Sequence, residues 1–140
     1  ARLANECPNI VGYKAASGNL AQLKELIALK PPHFDVFSGD DALTVDIMEA
    51  GGVGVISVFG NAYPKEMIAL VRAMQEGRVS DARNQHDRLN ELFQLIFVDG
   101  NPSGVKALMN IQGRVENILR LPLVPACDDT YSDLQQALLF

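Results

Sequence analysis

The sequence predicts an α/β fold in which parallel strands alternate with helices. Short runs of apolar and β-branched residues lie at residues 10–14, 34–38 and 53–58. Each run is followed by a segment in which apolar residues recur at helical spacing, and the connections between the segments are short. This alternation is typical of a parallel sheet with right-handed crossovers.

The first strand and helix occupy residues 10–29. Ile10, Val11 and Tyr13 favour a strand. Asn19 is a residue type that caps helices at their amino end, so we expect a helix over residues 20–29. The Lys-Pro-Pro sequence that follows stops this helix.

The second and third units repeat the pattern. Residues 34–38 predict a strand, and residues 42–50 predict a helix that either Asp40 or Asp41 caps. Residues 53–58 predict a third strand that is apolar on both faces. A third helix begins at Pro64, which is favoured in the first turn, and ends before a glycine at position 77.

The remainder of the chain changes character. Helices are expected over residues 80–96, from Asn101-Pro102 onward and over residues 130–139, and the prolines of residues 121–125 make that segment extended. We therefore divide the chain into residues 1–77, which hold the βα units, and residues 78–140, a helical region.

Three parallel strands neither close a barrel nor cover both faces of a sheet. A complete (β/α)8 barrel takes roughly 250 residues, and this chain has 140 residues and opens without a methionine, inside what resembles a helix end. We expect the chain to be a piece of a longer polypeptide, with further strands from other sequence or from another chain.

Composition and charge exclude several classes of partner. The net charge of -5 and the isoelectric point near 4.9 argue against nucleic acid and anionic membranes. No apolar run reaches the roughly 18 residues of a membrane span. Cys7, Cys127 and the two histidines match no metal-ligand spacing, and two lone cysteines suit the reducing cytoplasm.

Lys14 does not fit the pattern of a buried strand. It lies at the carboxyl end of the first strand, where a buried ammonium is costly unless it is paired. Desolvation favours the neutral amine, which is a nucleophile that forms Schiff bases with carbonyl compounds. The alternative is a side chain that extends into solvent, and spacing alone favours this alternative because buried lysines are rare.

Four motifs carry a family resemblance. They are Gly-Tyr-Lys-Ala-Ala-Ser-Gly-Asn (residues 12–19), Ser-Gly-Asp-Asp (38–41), Gly-Gly-Val-Gly-Val-Ile-Ser-Val (51–58) with Asn61, and Asn-Pro-Ser-Gly-Val-Lys (101–106) followed by Leu-Arg-Leu-Pro-Leu-Val-Pro (119–125). In this order and spacing they resemble the carboxyl-terminal half of the dihydrodipicolinate synthase family of class I aldolases, which includes N-acetylneuraminate lyase. Each motif is weak alone, whereas the ordered set is specific and covers essentially the whole chain.

The resemblance implies a fold and a site. The fold is the last three strands of a (β/α)8 barrel followed by the family's carboxyl-terminal helices. Lys14 is implied as the Schiff-base lysine that takes pyruvate, and Gly39 and Ile56 as residues of the pyruvate pocket, Ile56 through its backbone. Ser57 and Asn61 are expected to shape the loop beyond the third strand.

The resemblance also implies an activity. This is condensation of pyruvate with aspartate 4-semialdehyde, in lysine and diaminopimelate biosynthesis, by a homotetramer that needs no metal or organic cofactor. The amino-terminal half of the same enzyme would supply the remaining site groups. Many family members have glutamate after the lysine, where this chain has Ala15; we interpret the change as a packing variation on the opposite sheet face.

Two alternatives remain open at this point. One is another Schiff-base pyruvate aldolase, such as N-acetylneuraminate lyase, although the Ser-Gly-Asn and Ser-Gly-Asp-Asp sequences favour the synthase. The other is a non-catalytic fragment that only assembles with its other half or with copies of itself, since a fold does not by itself establish a function.

Overall fold

A three-stranded parallel sheet forms the first part of the molecule. The computed structural model describes residues 2–138, and its strands are β1 (Gly12–Ala15), β2 (Asp35–Ser38) and β3 (Gly54–Val55). They pair in the order β1-β2-β3, and both pairings are parallel. The α/β alternation that the sequence predicts is therefore confirmed.

Helices connect and follow the strands. In the described part of the chain they are α1 (Arg2–Glu6), α2 (Leu20–Leu29), α3 (Thr44–Glu49), α4 (Pro64–Gln75), α5 (Val79–Leu95), α6 (Ser103–Ile111) and α7 (Asp128–Ala137). Two 3₁₀ turns, Asp41–Leu43 and Phe59–Asn61, follow β2 and β3. Two of the three connections that leave the strands thus begin with a tight turn.

The first predicted helix is confirmed in full. Helix α2 covers the expected residues, and the side chain of Asn19 accepts a hydrogen bond from the amide of Gln22 at 3.1 Å. The second helix differs from its prediction, because its first turn is the 3₁₀ turn and α3 begins only at Thr44. Asp40 caps that turn by accepting from the amide of Ala42.

The predicted third strand over residues 53–58 is wrong in its extent. Only Gly54 and Val55 form β3, and the amide of Ile56 still donates to the carbonyl of Ser38 at 2.8 Å. Beyond it, the amides of Val58 and Phe59 donate to a carboxylate rather than to a neighbouring strand. A strand cannot continue when its amide donors are used in this way.

The later helices lie close to their predictions. Helix α5 begins one residue earlier and ends one residue earlier than expected, and α6 begins directly after the Asn101-Pro102 signal. Helix α7 begins at Asp128, two residues before the prediction, and its amino end is held by Asp99, which accepts from the amide of Cys127 at 2.8 Å. The predicted end of that helix at Leu139 lies outside the described residues.

The helical region shares a core with the strand-containing part. Phe59, in the turn after β3, is fully buried, stacks on Tyr63 at 4.9 Å and meets Phe93 of α5 edge-on at 5.0 Å. The same cluster takes buried side chains from α4, α5, α6 and α7, namely Met67, Leu89, Leu92, Leu108 and Leu134. Helix α5 therefore packs on α4, and its Phe93 also reaches the loop beyond β3.

None of the helices formed by residues 2–138 is both long and apolar enough to cross a membrane.

Leu92→Asp tests the contribution of this shared core. Leu92 is fully buried in this core, so the variant places an unpaired carboxylate among apolar side chains. We expect the free energy of unfolding to fall by about 3 kcal/mol or more. Calorimetry of the full-length protein should show a marked loss of thermal stability. The matched control is Asn90→Asp, since Asn90 is exposed on the same helix; equal melting temperatures for the two variants would refute the assignment.

Candidate active site

The carboxyl ends of the strands bring the three predicted site residues to one edge of the sheet. Ser38 pairs with both Ala15 and Val55, so Gly39 and Ile56 each lie one residue beyond a shared row of the sheet. Lys14 lies one residue before that row. The three residues thus lie at neighbouring strand ends, as the sequence predicts. This is the edge at which barrel active sites form. The roles of the three residues stay predictions.

Gly39 lies directly against Lys14. A Cβ atom built on Gly39 would lie 2.7 Å from the carbonyl oxygen of Ala15 and 3.1 Å from Cε of Lys14. The amide of Gly39 also donates to that same carbonyl. Only a residue without a side chain lets the two strand ends approach this closely and leaves room for the lysine to pass.

Ile56 contributes its backbone rather than a buried side chain. Its amide is used by the ladder bond to Ser38, and its side chain is 47% exposed. The carbonyl oxygen of Ile56 is thus the backbone group that can face a ligand. The role of Ile56 as a backbone contact to pyruvate stays a prediction.

Of the two alternatives for Lys14, a desolvated amine and a side chain that extends into solvent, the described residues show the second. Lys14 is exposed, because β1 is an edge strand of the sheet formed by residues 2–138. Desolvation of its amine requires cover from groups outside these residues. Ala15, by contrast, is buried on the opposite face, so the position that bears glutamate in many family members does point away from the lysine.

Asp41 occupies a place that sequence reasoning missed. Its side chain is 1% exposed, and one carboxylate oxygen accepts from the amides of Val58 at 3.0 Å and Phe59 at 2.9 Å. The other oxygen accepts from the hydroxyl of Ser57. Asp41 therefore joins the loop after β2 to the loop after β3, and Asp40 is the residue that caps the 3₁₀ turn before α3.

The two residues expected to shape the loop beyond β3 do so. The hydroxyl of Ser57 donates to Asp41 and accepts from the amide of Gly60 at 2.6 Å. The side-chain amide of Asn61 donates to the carbonyl of Val58 at 2.9 Å. Asn61 thus bonds within the loop, whereas Ser57 bonds both within the loop and to Asp41 in the loop after β2.

Helix α5 supports the loop after β2. Nε2 of His86 donates to the carbonyl of Ala42 at 2.7 Å, and the imidazole ring lies 5.5 Å from the ring of Phe93. Because Ala42 follows Asp41 directly, the helical region contacts both loops that the carboxylate joins. The sequence contained only an isolated histidine within a helical pattern, which gives no signal for this contact.

Comparison with known proteins gives a consistent family assignment. Residues 1–139 match the model of the dihydrodipicolinate synthetase family. The 4-hydroxy-tetrahydrodipicolinate synthase of Phocaeicola vulgatus is 47% identical over 137 residues, which are 98% of this chain and 46% of that protein. The corresponding synthase of Parabacteroides distasonis shows the same identity and coverage. The chain thus spans about half the length of the known relatives it matches.

Solved structures agree with the sequence comparison. Dihydrodipicolinate synthase from Thermotoga maritima is 39% identical with a TM-score of 0.96, over 98% of this chain and 48% of that one. The chloride-inhibited enzyme from Acinetobacter baumannii, complexed with pyruvate, is 34% identical with a TM-score of 0.93, over 98% of this chain and 47% of that one. The fold is accordingly the last part of a (β/α)8 barrel followed by a helical extension.

Gly39→Ala tests the close approach of β2 to Lys14. The added methyl group would overlap the carbonyl of Ala15 and displace the lysine, at a cost of about 1–3 kcal/mol. Gly54→Ala is the matched control, because a Cβ there meets its nearest neighbour at 3.8 Å, an ordinary contact. Denaturant midpoints in the complete barrel should fall for the first variant only, and a similar fall for both would contradict the steric argument.

Proposed function

Because the chain belongs to the dihydrodipicolinate synthetase family, we propose that it is the carboxyl-terminal half of a 4-hydroxy-tetrahydrodipicolinate synthase. The observation that carries the proposal is the position of Lys14 beside Gly39, at the strand edge where barrel active sites form. Three relatives, each matched over about half of its length, are named 4-hydroxy-tetrahydrodipicolinate synthase.

In the proposed reaction Lys14 acts as the nucleophile. Its neutral amine attacks the keto carbon of pyruvate, and loss of water gives an imine. The imine loses a methyl proton to become an enamine, whose carbon forms a bond with the aldehyde carbon of aspartate 4-semialdehyde. The product cyclises through its own amino group, and the lysine is released. The lysine itself serves as the electron sink, so the mechanism uses no metal or organic cofactor.

Gly39 and Ile56 would shape the pocket for pyruvate. The absent side chain of Gly39 lets a small ligand approach the backbone beside Lys14. The amide of Ile56 is used by its bond to Ser38, so the carbonyl of Ile56 is the backbone group proposed to contact pyruvate. Groups for the proton transfers would come from the amino-terminal half of the enzyme. That the Acinetobacter baumannii relative was crystallised with pyruvate supports the choice of first substrate.

The proposed assembly is a homotetramer of complete barrels in the cytoplasm.

Apolar side chains are exposed beside both edges of the sheet, with Val11 at 64% and Ile68 at 50%. A groove of about 600 Å³ runs along β3 and α4, lined by Phe37, Val55, Met67 and Val71 among others. Apolar surface of this kind favours cover by further protein, and the amino-terminal half is the proposed cover.

Borohydride trapping tests the role of Lys14. The complete enzyme, treated with pyruvate and borohydride, should gain a reduced adduct on the peptide that contains Lys14, because hydride reduces an imine to a stable amine. Lys14→Arg keeps the positive charge and removes the nucleophile, so it should abolish trapping, whereas Lys24→Arg on the exposed face of α2 should not. Mass spectrometry locates the adduct, and an adduct on another lysine would refute the assignment.

The isolated chain provides a second test. Within residues 2–138, both edges of the sheet are unpaired and their apolar neighbours are exposed. We expect the purified chain to be aggregated, swapped or oligomeric by sedimentation, and inactive in the condensation of pyruvate with aspartate 4-semialdehyde. Activity should return when the amino-terminal half of a relative is joined to it. Turnover by a monomeric 140-residue chain would contradict the proposal.

A further inference from the structure

We propose that Asp41 is a positioning residue that holds the pyruvate pocket in shape by joining the loops after β2 and β3. This inference rests on the proposed function. The side-chain hydrogen bonds of Asp41 reach none of the three predicted site residues, Lys14, Gly39 and Ile56. Its partners are Ser57, Val58 and Phe59.

The position of Asp41 in the chain makes it suitable for this role. It lies two residues after Gly39, and its three partners are the three residues that directly follow Ile56. The ladder bond from the amide of Ile56 to Ser38 ties the same two segments on the strand side. Gly39 and Ile56 are therefore held from both sides, by the ladder before them and by the carboxylate beyond them.

Both residues next to this connection, Asp40 on the β2 side and Phe59 on the β3 side, are themselves held in place. On the β2 side, the hydroxyl of Ser38 donates to the carbonyl of Asp40 at 2.6 Å and accepts from the amide of Asp40 at 3.2 Å, which fixes the residue before Asp41. On the β3 side, Phe59 is anchored in the core against Tyr63 and Phe93. Loss of the Asp41 carboxylate is therefore expected to move the backbone of the loop after β3.

Burial makes the carboxylate specific for this task. A buried carboxylate is costly unless hydrogen bonds compensate it, and here each oxygen has at least one donor. In Asp41→Asn, the side-chain oxygen can still accept from the backbone amides of Val58 and Phe59. The side-chain NH2 group then faces Ser57, whose hydroxyl oxygen has a second lone pair that can accept from it. Alanine would leave two amides and a hydroxyl without their acceptor.

The experiment compares Asp41→Ala, Asp41→Asn and Val45→Ala in the complete enzyme. Val45 is buried on α3 in a cluster with Leu70 and Ala73 and makes none of the loop bonds, so Val45→Ala is a control for lost stability alone. The readouts are KM for pyruvate, kcat, the melting temperature and amide hydrogen exchange of residues 56–61.

We expect Asp41→Ala to raise KM for pyruvate about tenfold or more, because small displacements at a site are costly, and to speed exchange in residues 56–61. Asp41→Asn should restore most of both properties. Val45→Ala should lower the melting temperature and leave KM unchanged. The inference is overturned if Asp41→Ala keeps KM within about twofold of the wild type, or if Val45→Ala raises KM equally.

Failure of the proposed function gives a different result. If the wild-type enzyme forms no borohydride-trapped adduct with pyruvate, the proposed function fails, and with it the assignment of the pocket to pyruvate. Hydrogen exchange still decides the role of Asp41 in that case. Unchanged exchange of residues 56–61 in Asp41→Ala would show that the carboxylate does not hold the loop.

Discussion

The buried carboxylate of Asp41 is the interaction on which the arrangement of the site depends. The carboxylate accepts hydrogen bonds from the amides of Val58 and Phe59, which are therefore not available to extend β3 and instead belong to the turn that follows. Phe59 lies in that turn and in the core, where it contacts the rings of Tyr63, which directly precedes α4, and Phe93 of α5. One charged group on a strand-to-helix connection thus determines where the next strand stops and where the helical region attaches.

A second constraint is the close approach of the strands at their carboxyl ends. Gly39 brings its backbone amide within 2.6 Å of the carbonyl of Ala15, and the lysine side chain passes over the space that a Cβ would fill. Among residues 2–138, the side chain of Lys14 lies against Gly39 and forms no ion pair. The proposed mechanism uses Lys14 as a neutral amine, and the absence of a carboxylate partner would suit that role, since such a partner favours the charged form.

The helical extension has a structural part in the site as well as in the core. His86 contacts the loop that carries Asp41, and Phe93 packs on Phe59 in the loop that Asp41 holds. Helix α5 therefore braces both loops from outside the sheet. A region that contributes no reacting group in the proposed mechanism can still affect the geometry of the groups that react.

The sequence alone determined the order of strands and helices, the parallel sheet and the family, because these depend on local periodicity, caps and ordered motifs such as that around Lys14. Only the tertiary structure decided which of Asp40 and Asp41 caps the turn before α3, how short β3 is, and that Lys14 is exposed at a sheet edge. The reason is physical. A cap forms within a few residues, whereas the partners of Asp41 lie 16 to 18 residues away, and exposure depends on what covers a residue in space.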